Sequence, residues 1–231
     1  MIPPLLRLEY HMTAMRNQTI GRFKKDYLFY KDIFDFQNEL WKILNEQIAT
    51  TVPNKSVVSV LLLDAGELLI GARVACEICA YTSSMTLVRA AYDRLELARY
   101  LDKHPDKIAH YANIDNRAPS IGDIMTDLFG INTPERRIEN TNYATLCNFS
   151  HANSFGQQIH VKIIGGKTRF VLLGYNRKAA KHIIRNVIKF TARLICYEIE
   201  IIDSNKLKVK RSTSDEWERL RKKLKKHRFA Y

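Results

Sequence analysis

"FKKDYLFYKDIFDFQNELWKILNEQIA", residues 23–49, decides the fold class of this chain. Large apolar residues recur three and four positions apart, placing Tyr27, Tyr30, Phe34, Leu40, Trp41 and Leu44 on one broad stripe. That spacing is the 3.6-residue period of an amphipathic helix with one face buried. "TTVPNK" ends the pattern, because the ring of Pro53 disfavours helical backbone in the residue before it.

The same period governs the neighbouring segments. "SVVSVLLLDAGELLIGARVACEICAY", 56–81, is the most apolar stretch, yet it carries Asp64, Glu67, Arg73 and Glu77 at intervals too short for a membrane span. It reads as a buried helix. In "SSMTLVRAAYDRLELARYLDKHP", 83–105, Ser83 or Ser84 is the expected cap and Pro105 the stop, with Leu87, Ala91, Leu95 and Ala98 facing inward. A short helix is expected from Pro105 to about Asn113. Another is opened by Ser120 with Asp123 and closed near Gly130, and a third starts at Thr133–Pro134 and ends near His151.

Beyond it, "IHVKIIGGKTRFVLLG", 159–174, sets two β-branched runs on either side of Gly165 and Gly166, the local signal of a β-hairpin. Asn176 caps a long helix through "RKAAKHIIRNVIKFTARLICYEIEII". "DSNKLKVKRSTS", 203–214, reads as a linker, and Thr213 with Glu216 as a capping box for a terminal helix. The expected fold is mostly α: a multi-helix bundle with one β-hairpin near residues 159–173 and a basic C-terminal helix. Residues 1–203 form the helical domain including the hairpin, and 204–231 form the basic linker and helix.

Composition narrows the function classes. With 231 residues, 46% hydrophobic and 26% charged, the chain has ordinary globular composition. "MIPPLLRLEYHM" lacks the basic region, apolar core and cleavage site of a secretory signal, so a cytoplasmic location without membrane attachment is expected. Cys76 and Cys79 lie inside an apolar run and no second pair supplies zinc-ligand spacing, so neither metal nor cofactor is expected. "IIGGKTR" has Lys167 and Thr168 after two glycines but lacks the earlier glycine of a phosphate loop, and no strand-then-helix context surrounds it.

The net charge of +13 is concentrated at one end, where residues 206–231 hold 11 Lys or Arg against 3 Asp or Glu. Lys208, Lys210, Arg211, Arg219, Arg221, Lys222, Lys223, Lys225, Lys226 and Arg228 are therefore candidate phosphate contacts, which bind through counterion release. Trp217, Leu220 and Leu224 share one side of that helix, so packing of a solvated helix is the competing explanation. RNA or DNA is the expected partner, with no signal for base readout.

Two helices suggest a polar cluster. Arg89 and Asp93 are four residues apart, as are Tyr143, Cys147 and His151, so each set shares a helix face. If the faces meet, Arg89, Asp93, Tyr143 and His151 either fix helix register or, less favoured, use His151 as a general acid or base beside an anion-binding Arg89. "LVRAAYDRLELARYL" and "YATLCNFSHAN" together resemble a family of uncharacterised prokaryotic all-helical domains often found near phage-defence and mobile-element genes. The resemblance covers residues 80–155 and implies a helical fold more firmly than any activity.

A second resemblance is to the HEPN superfamily, whose metal-independent ribonucleases use an Arg, four to six residues, then a His. Arg177 and His182 satisfy that spacing, as do Arg99 with His104 and Arg221 with His227, a frequency close to chance in so basic a chain. Arg177 and His182 are the preferred pair, at the start of a long helix where two chains could bring their motifs together as a homodimer. The resemblance implies that Arg177 would stabilise a phosphate and His182 would move a proton. The favoured expectation remains a nucleic-acid-associated cytoplasmic accessory protein. The alternatives are a HEPN-like ribonuclease or toxin and a non-catalytic subunit that binds protein through the hairpin or the C-terminal helix.

Overall fold

The computed structural model describes residues 4–51, 56–112, 119–150, 161–164, 167–170 and 175–226. Its architecture is helical, with α1 Pro4–Arg22, α2 Lys24–Thr51, α3 Ser56–Glu77, α4 Tyr81–Lys103, α5 Ile108–Ala112, α6 Ile121–Phe129, α7 Pro134–Ser150, α8 Arg177–Ser204 and α9 Arg211–Lys226. Of the stripe read in residues 23–49, Tyr30, Leu40 and Leu44 are nearly inaccessible in α2 and Tyr27, Phe34 and Trp41 are partly buried, while Ile33 and Phe36, outside that stripe, are buried beside them.

Helix α8 is the axis of the bundle. It packs against α2, α3 and α4, and from Ala179 to Ile202 most of its residues are buried, with Lys181, Arg185 and Glu200 exposed along one side. A helix with so wide an apolar side needs neighbours on more than one flank. Contacts along its length fix the directions. The backbone N–H of Asn176 donates to Tyr81 Oη at 2.9 Å and the Tyr92 and Phe190 rings lie 5.6 Å apart, so α4 runs parallel to α8. Arg89 bonds Tyr143 and Tyr92 bonds Glu139, so α7 lies antiparallel on α4.

Several predicted boundaries hold. Ser120 Oγ accepts from the Asp123 backbone N–H at 3.2 Å, Thr133 Oγ1 accepts from that of Arg136 at 3.1 Å, and Asn176 Oδ1 accepts from those of Lys178 and Ala179. Gly130 closes α6 with a φ of 76°, in the left-handed region that suits glycine. Others move. Helix α4 begins at Tyr81, ahead of both serines, and Ser84 Oγ instead donates to the Ala72 carbonyl of α3 at 2.5 Å. Helix α9 begins before Thr213, whose backbone N–H donates to the Lys210 carbonyl at 3.0 Å, so Thr213 sits within the first turn and does not cap it. The linker 205–210 is tied down as well: the Gln47 side-chain amide donates to the Lys208 carbonyl and accepts from its N–H, both at 2.9 Å.

The fold class is corrected to all-helical, because a β-hairpin near 159–173 is not supported as an element of it. Among the described residues Val161–Ile164 and Lys167–Phe170 pair only with each other and extend no sheet into the helical layers. The rest of that stretch, Gly165 and Gly166 included, lies outside the described residues, as does His151. Two glycines between β-branched runs are a local signal, and two four-residue segments have too little apolar surface to form a layer without a third strand or a helix beneath them. No helix among the described residues is long and apolar enough to cross a membrane.

One close approach locks α2, α3 and α8 together. A Cβ added to Gly66 of α3 would overlap the Trp41 ring of α2, and Trp41 Nε1 donates to Glu198 Oε1 of α8 at 2.7 Å. Glu198 is fully buried, and burial pushes its carboxyl up to about 8, against the opposing hydrogen bonds from Trp41 and Gln37.

Two predictions follow from this seam. Gly66→Ala should destabilise the fold by roughly 1–3 kcal/mol through overpacking, whereas Gly71→Ala, whose added Cβ meets only Leu87 at ordinary contact distance, should be neutral or slightly stabilising in thermal melts. For Glu198, the folded value lies above the unfolded one, so the native state holds the extra proton between about pH 4.5 and about pH 8. Stability from this group is full at the acid end of that window and falls as pH rises through it, by on the order of a few kcal/mol. Glu198→Gln should flatten that decline in urea titrations at pH 5 and pH 8.5. An unchanged difference between the two proteins at both pH values would contradict it.

Candidate nucleic-acid interface and the cleft beside it

Helix α9 owes its position to its apolar side. Leu220 and Leu224 are buried, and Trp217 stacks on Phe36 of α2 with centroids 5.9 Å apart. Lys223 Nζ reaches Asp32 at 2.6 Å, so α9 lies antiparallel on α2. Docking in this way turns the basic side outward.

The candidate phosphate-binding residues fall into two groups. Arg219 pairs with Glu216 at 3.0 Å, Arg221 with Glu218 at 3.4 Å and Lys223 with Asp32, so their charge is partly answered within the chain. Lys208, Lys210, Arg211, Lys222 and Lys225 are exposed and make no ion pair among the described residues. The Lys226 side chain and the whole of Arg228 and His227 lie outside the described residues.

The proposed meeting of α4 and α7 is present. Arg89 Nη2 donates to Tyr143 Oη at 3.0 Å and its guanidinium lies 5.4 Å from the centre of that ring. Asp93 is half-buried on the same helix, and burial raises its carboxyl against the opposing pull of Arg89 and Arg94. Both members of the preferred HEPN-type pair lie in the first two turns of α8. Arg177 is exposed at the start of α8, while His182 is half-buried and burial lowers its imidazole. Five residues place them about 140° apart around the helix. His104 Nε2 lies 2.8 Å from Asp127 Oδ2 beside the Tyr100 ring, as a helix-end residue would.

The sequence reading missed a denser cluster one turn along α4. Arg193 of α8 is buried, with Nη2 2.6 Å from Glu96 Oε1 and Nη1 2.7 Å from Glu139 Oε2. Arg99 bonds the other Glu96 oxygen at 3.0 Å and Tyr92 Oη donates to Glu139 at 3.0 Å. Lys189, one turn before Arg193, donates to Asn142 Oδ1 at 2.8 Å. Burial works against charge at every one of these groups. It leaves Glu96 raised despite Arg193 and Arg99, but at Glu139 the attraction and hydrogen bonds of Arg193 prevail and its carboxyl is lowered. Arg193 is held above its ordinary value, because Glu96 and Glu139 outweigh its own burial. The available signal was Arg193 and Glu96 standing among inward-facing apolar residues of two predicted helices, where a lone charge needs a partner.

This cluster floors a cleft of about 260 Å³ between α7 and α8. Arg99, Phe129, Arg193 and Tyr197 form the floor, with the Arg99 guanidinium 5.2 Å from the Phe129 ring and 5.8 Å from the Tyr197 ring. Glu135, Ile138 and Glu200, all exposed, stand around it. Cys196 lies beside them, its thiol pushed up to about 11 by burial and by Glu200, with Arg221 of α9 and Arg193 pulling the other way. Among the described residues no group of three or more His, Cys, Asp or Glu side chains is placed to hold a metal ion.

Compared with protein-family models, curated proteins and solved structures, the chain matches none.

The Arg89–Tyr143 bond gives a direct check of the contact between α4 and α7. Tyr143→Phe removes one hydrogen bond to a charged donor and should cost roughly 1.5–3 kcal/mol in urea denaturation. A cost within experimental error would mean that the two side chains do not meet.

Proposed function

We propose that this chain is a cytoplasmic accessory protein that binds the phosphate backbone of nucleic acid through the outward side of α9 and the segment leading into it. The observation that carries this is the docking of α9. Its apolar side is used against α2, leaving Lys222 and Lys225 on the opposite surface with Lys208, Lys210 and Arg211 at its start. A helix held in place presents its cations at fixed spacing and loses less entropy on binding than a mobile tail does. Such contacts give affinity that falls steeply with salt and little sequence preference. Cys76, Cys79 and Cys196 carry no disulfide, which suits a reducing compartment.

Point substitutions test this better than removal of the helix, because Trp217, Leu220 and Leu224 belong to the packed core. Fluorescence anisotropy with labelled RNA and duplex DNA, from low to physiological salt, should show binding with a steep negative salt dependence. Lys222→Ala with Lys225→Ala should weaken it and reduce the logarithmic salt slope by roughly 1.4–1.8 in total, with thermal stability unchanged to within about 0.5 kcal/mol. No binding at low salt, or binding that both substitutions leave intact, would overturn the proposal.

A further inference from the structure

Helix α8 carries exposed charge that the packing of the bundle does not use. From Arg177 to Tyr197 it holds Arg177, Lys178, Lys181, Arg185, Lys189 and Arg193 and no Asp or Glu. Arg193 is engaged by Glu96 and Glu139 in the interior, and Lys189 is half-buried against Asn142. Lys178, Lys181 and Arg185 are exposed, and their spacing of three and four residues gathers them within about 60° of arc, with the exposed Arg177 at its edge. At a rise of about 1.5 Å per residue, the row from Lys178 to Arg185 spans roughly 10 Å.

Many exposed cations of this chain are answered within it: Lys31 by Asp35, Lys42 by Glu39, Arg94 by Asp64, Lys103 by Asp127 and Lys107 by Asp106. Arg177, Lys178, Lys181 and Arg185 make no ion pair among the described residues. Helix α7, which Asn142 joins to Lys189 of α8, has no acid from Asn140 to Ser150, so that flank supplies no counter-charge either. A like-signed row of this kind repels itself and attracts a polyanion. Its length suits one: each strand of a duplex carries a phosphate about every 3.4 Å of axis, so a roughly 10 Å row faces about three of them. An anionic membrane or an acidic protein would want apolar side chains beside the cations, and among the described residues none of the exposed large apolar side chains belongs to α8.

We propose that Lys178, Lys181 and Arg185, with Arg177 at their edge, form a second phosphate-contact surface for nucleic acid, one that meets the backbone and not the bases. Packing of α8 against α2, α3 and α4 holds the row in place, so little order is lost when phosphates bind. The surface shares its class of partner with the α9 reading and none of its residues, so the two fail separately.

The test uses the full chain, labelled duplex DNA and labelled single-stranded RNA, with anisotropy read across a salt series. Lys181→Gln with Arg185→Gln removes two exposed cations and keeps good helix formers, so thermal melts should not move. Affinity at low salt should fall roughly tenfold or more, and the logarithmic salt slope should shrink by roughly 1.4–1.8. Lys42→Gln with Lys107→Gln takes the same formal charge from cations already paired with Glu39 and Asp106, and should leave the slope as it was. A slope that the α8 pair does not change, or an equal loss in the Lys42 and Lys107 control, overturns the inference and leaves the α9 reading to its own substitutions at Lys222 and Lys225. Capture by phosphatidylserine vesicles with no binding to either nucleic acid at low salt overturns both.

Discussion

Arg193, buried between Glu96 of α4 and Glu139 of α7, is the constraint on which the packing of this bundle depends. Apolar contact alone would let α4, α7 and α8 slide past one another, since interdigitated aliphatic side chains tolerate shifts in register. A guanidinium with two carboxylates permits one register only, because an unanswered charge in the interior costs several kcal/mol. Tyr92 and Asn142 donate to the same Glu139 oxygen that Arg193 bonds, and Arg99 bonds the Glu96 oxygen that Arg193 leaves. The same cluster lines the cleft between α7 and α8.

A second seam holds the other side. Gly66 leaves room for Trp41, Trp41 bonds Glu198, and Gln47 clasps the Lys208 backbone. Through that seam α2 becomes a platform for α9, onto which Trp217, Leu220 and Leu224 settle. The basic segment is thereby a packed element with a defined outer side. Its connection to the body, read from composition as a linker, is fixed by a side-chain amide that no local pattern announces.

Much of the helical fold was legible because its signals are local. The stripe of α2, the Ser120 and Asn176 caps, the Thr133–Pro134 start and the stop at Pro105 all depend on neighbouring residues. Helix α1 was missed because Pro4–Arg22 has little segregation of apolar from polar positions. The hairpin was over-read for the opposite reason: Gly165 and Gly166 gave a strong turn signal, but a turn does not supply a surface to bury against. At the candidate site, the spacing of Arg89 from Asp93 and of Tyr143 from Cys147 showed which faces were polar, and Arg89 does reach Tyr143. The spacing could not show that Arg193, far along the chain, completes a neighbouring cluster.

The most direct measurement of the central claim is a double-mutant cycle on Arg193→Met and Glu139→Gln, followed by urea denaturation at neutral pH. If the buried pair sets the register, the single substitutions are each costly and the double mutant is more stable than their sum predicts by about 1 kcal/mol or more. Effects that add to within roughly 0.5 kcal/mol would show that the two residues do not interact. The packing of α4, α7 and α8 would then have to rest on apolar contact alone.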